Sequence, residues 1–264
     1  MSHKTDRERL LEDQYRNAAK LSARIRLHAR FSANPYGLFR WVFDRFDIPP
    51  ESRVLELGCG TGALWIDNKE RIPADWEVIV SDHSAGMLDE AARNLSVVGR
   101  RFEHMVLDAR SMSLSDASMD AVIANHVLHV IPDMEKALSE IRRVLKPGGR
   151  FYTTANGRDH LRELAELVKG VGSAVLGHHE NFLAENGAEQ LSRWFENVEL
   201  LRYQDHLYVT EAEPLMDYIL SMHAVPPLNE SQARRLRRKI EGVIASHGGY
   251  YITKSSGMLI ASGA

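Results

Sequence analysis

Apolar residues recur along this chain at two periods, and the switches between them mark the elements. Leu11, Tyr15, Ala18, Ala19, Ser22 and Ile25 keep helical spacing, with Lys20, Arg24, Arg26 and Arg30 on other faces. Asn34-Pro35-Tyr36-Gly37 is a turn signal, after which Leu38, Trp41, Val42 and Phe46 form the stripe of a second helix. Beyond Pro49-Pro50, short β-prone runs alternate with helical ones. Strands are predicted at 53–57, 76–81, 102–107, 119–124 and 151–155, with helices at 61–72, 85–95 and from Asp133 onward. Ser84 and Asp133 are N-cap candidates, and Lys146-Pro147-Gly148-Gly149 reads as a turn into the fifth strand. Such alternation predicts a parallel sheet covered on both faces. The second half is less regular. It has helical patterns near 161–168, 189–195, 214–222 and 231–245, and a strand at 198–203. Asn229 and Gln232 have capping-box spacing before the last helix. β-like sequence at 250–253 and 258–261 is broken by Ser255-Ser256-Gly257.

The junction after the first strand narrows the chemistry. Val54, Leu55 and Leu57 run into Gly58, Gly60 and Gly62, and helix follows. Glycines at alternate positions let the backbone turn sharply and let a ligand approach its N–H groups, as in nucleotide-binding turns. Glu56, just before them, would repel a phosphate and attract a ligand carrying ammonium and sulfonium charge. The spacing Gly58-x-Gly60-x-x-Ala63 with Asp82 downstream also satisfies a dinucleotide fingerprint, so the glycines alone leave both readings open. The later strand ends weigh between them. Asp82, Asp108 and Asn125 close the second, third and fourth strands, at the edge where open parallel sheets bind ligands. A dehydrogenase has no call for Asp108 or Glu56.

Composition removes other classes. The chain has 264 residues, 44% hydrophobic and 26% charged, with a net charge of −3, which gives no general drive toward nucleic acid or anionic membrane. A single cysteine, Cys59, excludes a disulfide framework, and twelve scattered histidines give no metal-ligand spacing. No apolar run approaches the roughly 20 residues of a membrane span, and a cytoplasmic protein is the expectation. Arg234, Arg235, Arg237, Arg238 and Lys239 read as the solvated face of a helix buried through Leu236, Ile240 and Val243.

Over residues 51–157 the ordered set resembles the class I S-adenosylmethionine (SAM)-dependent methyltransferases, small-molecule type. The resemblance implies a Rossmann-like α/β fold with a seven-stranded, mostly parallel sheet, the last strand antiparallel, and helices on both faces. It implies a SAM-binding core at 51–208 completed by a last strand at 249–264. An N-terminal helical cover at 1–50 and a helical insertion at 209–248 would be added to it, closing over the acceptor site. It further implies roles. Gly58, Cys59 and Gly60, with Glu56 through water, would hold the methionyl part of SAM, and Asp82 the ribose hydroxyls. Asp108 would take the adenine amino group and the N–H of Ala109 a ring nitrogen. His83 and Met87 would flank the base, and the carbonyl of Asn125 would take the methionyl amino group. His126 and His129 are candidate bases, alternatively loop packing, and Tyr15, Phe31 and Tyr36 are candidate acceptor contacts.

The function so implied is methyl transfer to an O, N or C atom of a small organic molecule, by a monomer or homodimer without nucleic-acid or membrane partners. Methylation of RNA or protein is the alternative within the same chemistry. It is disfavoured by the charge and by Asn125-His126-Val127-Leu128 standing where an Asn-Pro-Pro-Tyr-type motif would be. An NAD(P)-dependent oxidoreductase and a non-catalytic SAM-binding protein are the alternatives from other classes.

Overall fold

The computed structural model describes residues 18–169, 181–222, 225 and 227–263. Seven strands, β1 (Arg53–Leu57), β2 (Glu77–Asp82), β3 (Glu103–Val106), β4 (Met119–Asn125), β5 (Leu145–Asn156), β6 (Asn197–Val209) and β7 (Tyr250–Ser262), form one sheet. Their order is β3-β2-β1-β4-β5-β7-β6. The first five strands pair in parallel, and β7 lies antiparallel to β5. The chain therefore builds outward from β1 through β2 to β3, then returns to place β4 on the other side of β1. The carboxyl ends of β1 and β4 form the switch point of the sheet.

The chain divides into two compact units. The first comprises Tyr36–Arg158, His179–Tyr203 and Ser256–Ala264. Its inner strands β1, β2 and β4 are buried on both faces, as parallel strands covered by helices must be, while the edge strand β3 is mostly exposed. Leu55, Leu57, Ile79, Val122 and Phe151 face one way, onto Leu138, Ile141 and Val144 of the helix Met134–Val144. Val54, Val78, Val80, Ala121 and Ile123 face the other, with Trp65 and with Leu88, Ala91 and Leu95 of the helix Ala85–Leu95. Both predicted N-caps form. Ser84 Oγ accepts from the Met87 N–H and Asp133 Oδ1 from the Lys136 N–H.

The second unit comprises Met1–Pro35, Asp159–His178 and Gln204–Ser255. Helices Ala18–Phe31, Arg162–Val168, Ala212–Leu220 and Glu230–His247 contribute Leu27, Phe31, Leu164, Leu215, Ile219, Leu236 and Ile240 to its core. The capping box of Asn229 and Gln232 is complete. Leu236 and Ile240 point inward, while Arg234, Arg235, Arg238 and Lys239 are exposed, so the basic run is the outer face of that helix. Asp205 has no exposed side-chain surface. It pairs with Lys254 and also accepts from the Ser32 hydroxyl and the Asn34 N–H, which satisfies a charge that would otherwise be costly to bury.

Three local expectations differ. The helix after the glycines is only Ala63–Asp67, because buried Asn68 turns back and donates from Nδ2 to the carbonyls of Leu64 and Phe39. Strand β7 is continuous through Ser255-Ser256-Gly257. A Cβ on Gly257 would lie 2.9 Å from the Leu201 carbonyl oxygen, so the glycine serves close strand packing and not a break. Lys146-Pro147-Gly148-Gly149 lies inside β5 as a bulge. The register with β4 jumps there, from Met119↔Leu145 to Ala121↔Arg150.

Candidate active site

The site is built from the first unit at the carboxyl ends of β1 to β4. The loop after β1 is pinned where the Cys59 N–H donates to the Ser81 carbonyl at 2.8 Å. Gly58 has φ +65°, and a Cβ there would come within 2.5 Å of Val127 Cγ2, so neither the backbone nor the space admits a larger residue. Gly60 differs: its φ is +54°, but nothing lies within 4 Å of where a Cβ would project. Its backbone faces open space. The Gly60 N–H donates to Asp82 Oδ2 at 3.1 Å and the Ser84 N–H to Asp82 Oδ1 at 2.9 Å, so one carboxylate joins the glycine turn to the start of the next helix. Burial still pushes the Asp82 carboxyl above the ordinary aspartate range.

Glu56 is 2% exposed, on the face of β1 covered by the short helix Ala63–Asp67. Trp65 Nε1 donates to its Oε2 at 2.7 Å, and no cationic side chain pairs with it among the described residues. Burial pushes its carboxyl up to about 7, with the Asp82 charge adding to the effect and Trp65 opposing it. Cys59 is buried in the turn, and burial followed by the charges of Glu56 and Asp82 pushes its thiol far above the ordinary range. That thiol is not a nucleophile.

Asp108 follows β3 and is held by Arg110. Arg110 Nε donates to Oδ1 at 3.0 Å and to Oδ2 at 3.2 Å, and Nη2 to Oδ2 at 2.7 Å. The Arg110 backbone N–H also reaches Oδ1, at 2.9 Å. The hydrogen bond from the guanidinium holds this carboxyl below its ordinary range. Ala109, between them, is partly buried. His83 is exposed and close enough to Asp82 and Asp108 to act on both charges, whereas Met87 is buried at 3%.

At the end of β4, Asn125 Nδ2 is buried with no hydrogen-bond partner of normal geometry, although its nearness to Glu56 draws that carboxyl's pKa down. His126 follows with φ +54°, a left-handed conformation that costs a side chain roughly 1–2 kcal/mol. Its N–H is held by Thr154, at 3.0 Å to Oγ1 and 3.2 Å to the carbonyl oxygen. His129 lies in the short helical turn Leu128–Val130, partly buried. Among the proposed acceptor contacts, Tyr15 lies outside the described residues. Phe31 is 8% exposed and belongs to the core of the second unit, and Tyr36 is exposed.

Three partners had no signal in the spacing: Trp65 on Glu56, Arg110 on Asp108 and Thr154 under His126. Each depends on a tertiary neighbour or a rotamer.

Together these residues suit an aminoacyl nucleoside with a sulfonium centre. A carboxylate is buried without a cation among the described residues, a glycine backbone faces open space, and a buried amide nitrogen stands beside that carboxylate. Among the described residues, no group of three His, Cys, Asp or Glu side chains is placed to hold a metal ion, and no helix is long and apolar enough to cross a membrane.

Comparison with known proteins agrees. The methyltransferase domain family matches residues 54–149. Demethylmenaquinone methyltransferase of Thermus thermophilus is 37% identical over 115 residues, which cover 42% of this chain and 52% of the relative. Malonyl-acyl-carrier-protein O-methyltransferase of Xylella fastidiosa is 29% identical over 202 residues, covering 76% of this chain and 66% of the relative. The chain thus spans about half to two thirds of the length of these relatives. Among solved structures, phosphoethanolamine N-methyltransferase 2 of Haemonchus contortus, in complex with phosphomonomethylethanolamine and S-adenosylhomocysteine (SAH), has a TM-score of 0.61. It is 18% identical, with 100% of this chain and 61% of that one covered, a likeness of fold. The segment matched by the domain family carries Glu56, the glycine turn, Asp82, Asp108 and Asn125, and that segment is a methyltransferase domain of the class I, SAM-dependent type.

Proposed function

We propose that this protein transfers the methyl group of SAM to an O, N or C atom of a small organic molecule. The observation that carries the reading is Glu56, a carboxylate buried beside the glycine turn with no cation paired to it among the described residues. Bound there, SAM supplies an already activated methyl on a cationic sulfur. The chain's own work is to bind, orient and keep water out. In this assignment Glu56 and the backbone of Gly58 to Gly60 hold the methionyl end, and the Asn125 carbonyl takes its amino group. Asp82 keeps acceptor capacity on both oxygens for two ribose hydroxyls. Asp108, the Ala109 N–H, His83 and Met87 surround the base. A small acceptor fits the net charge of −3.

Thermal denaturation with SAH or NAD tests the cofactor. SAH at about a hundred times its dissociation constant should stabilise the fold by about 3 kcal/mol, and NAD should not. Stabilisation by NAD alone would overturn the reading.

His126 and His129 are the groups on the switch-point loop able to take a proton from a hydroxyl or a carbon acid. Alanine at the base should lower turnover about a hundredfold with SAH affinity unchanged. Near-parent turnover in both single variants would leave alignment as the whole of catalysis.

A further inference from the structure

We infer that Arg110 is a specificity-determining positioning residue, fixing Asp108 so that the site selects a purine with an amino group at C6 over one with a carbonyl there. The inference rests on the methyltransferase reading, which sets Asp108 against the adenine of the cofactor.

The geometry is that of a clamp. Oδ1 of Asp108 accepts from Arg110 Nε and from the Arg110 backbone N–H, and Oδ2 accepts from Nη2 and the longer branch of Nε. The Ser111 N–H closes the same turn on the Asp108 carbonyl at 2.9 Å. Side chain and backbone of Asp108 are both tied, so the carboxylate cannot rotate to suit a different base. A carboxylate oxygen has two lone-pair directions. On Oδ1 both are taken. Oδ2 takes one full bond, from Nη2 at 2.7 Å, and only the weaker 3.2 Å branch of the Nε hydrogen already given to Oδ1, so it keeps room for one further donor, which is what an amino group offers. A carbonyl at the same place would meet an oxygen that has no proton to give, and two acceptors would face each other at a partly buried site. The carboxyl cannot relieve that conflict by protonating near neutral pH, because the guanidinium holds its pKa low. Lysine could supply the charge but not the two-pronged hold, since an ammonium is a point donor.

Calorimetric titration of the full chain with SAH and with its deaminated analogue, S-inosylhomocysteine, tests this. The parent should prefer SAH by about a hundredfold or more. R110Q and R110K should each bind SAH about tenfold more weakly and lose about tenfold of that preference, with melting temperatures near the parent's. A preference unchanged in both variants would overturn the inference, including the case where the two ligands weaken equally, the mark of a merely structural role. Tighter SAH binding by R110Q would overturn it in the opposite sense, with Arg110 masking Asp108 from the base. A parent chain that binds neither ligand refutes the cofactor reading itself, and this inference with it.

Discussion

Asp82→Ala is expected to lower affinity for SAM and SAH by about a hundredfold to a thousandfold, the largest binding effect of any single side chain in the site. Two losses combine. The ribose hydroxyls lose a charged acceptor in a partly buried place, and the Gly60 and Ser84 N–H groups lose the oxygens that hold the turn against the next helix. Asp82→Asn separates them, because its single carbonyl oxygen can replace only one of the two acceptors. Its affinity should fall between those of the alanine variant and the parent. SAH titration of all three proteins by calorimetry checks the order, and parent-like binding by Asp82→Ala would show that the ribose is held elsewhere.

Glu56→Gln should move stability and cofactor binding in opposite directions. The folded-state pKa of Glu56 is raised, from an ordinary 4.5 to about 7. Such a group contributes stability that is fully present below pH 4.5 and lost as pH rises through 7. Above that, the buried charge costs the fold about 3 kcal/mol. Glutamine keeps the acceptor for Trp65 Nε1 and carries no charge, so the variant without cofactor should melt several degrees higher than the parent at pH 8. At pH 4 that advantage should vanish. Cofactor binding runs the other way, since the cation needs the ionised carboxylate. SAM should bind the parent about tenfold more tightly at pH 8 than at pH 6, and the variant weakly with a smaller dependence. Equal pH slopes in the two proteins would exclude Glu56 as the titrating group.

How much of this was legible in the sequence follows from how local each cause is. The parallel strands β1, β2 and β4 were readable because each is a short apolar run ended by a polar residue or a glycine, and the caps at Ser84, Asp133 and Asn229 because capping acts over three residues. Glu56, Asp82, Asp108 and Asn125 were readable as a set for a similar reason, since the ends of consecutive parallel strands share one edge of the sheet. Long-range causes were not readable. The short helix after Gly62 ends through Asn68 bonding to Phe39, 29 residues earlier. Gly257 looks like a break until the Leu201 carbonyl of the neighbouring segment is seen against it. Nothing in the spacing of Trp65 from Glu56 sets it apart from any other core tryptophan, and only the meeting of strand face and helix makes it a partner. The Arg110 clamp lies within three residues of sequence, but it depends on a rotamer, which no hydrophobic pattern encodes.

Cys59, silent in the chemistry, has a consequence of another kind. It is the sole thiol of the chain, it sits between Gly58 and Gly60 of the turn after β1, and it is shut away with its thiolate strongly disfavoured. A thiol reagent can therefore react only when that turn transiently opens. Its alkylation rate is a clock on the opening of this one loop, readable in the unmodified protein by mass alone, and slowed by whatever occupies the turn.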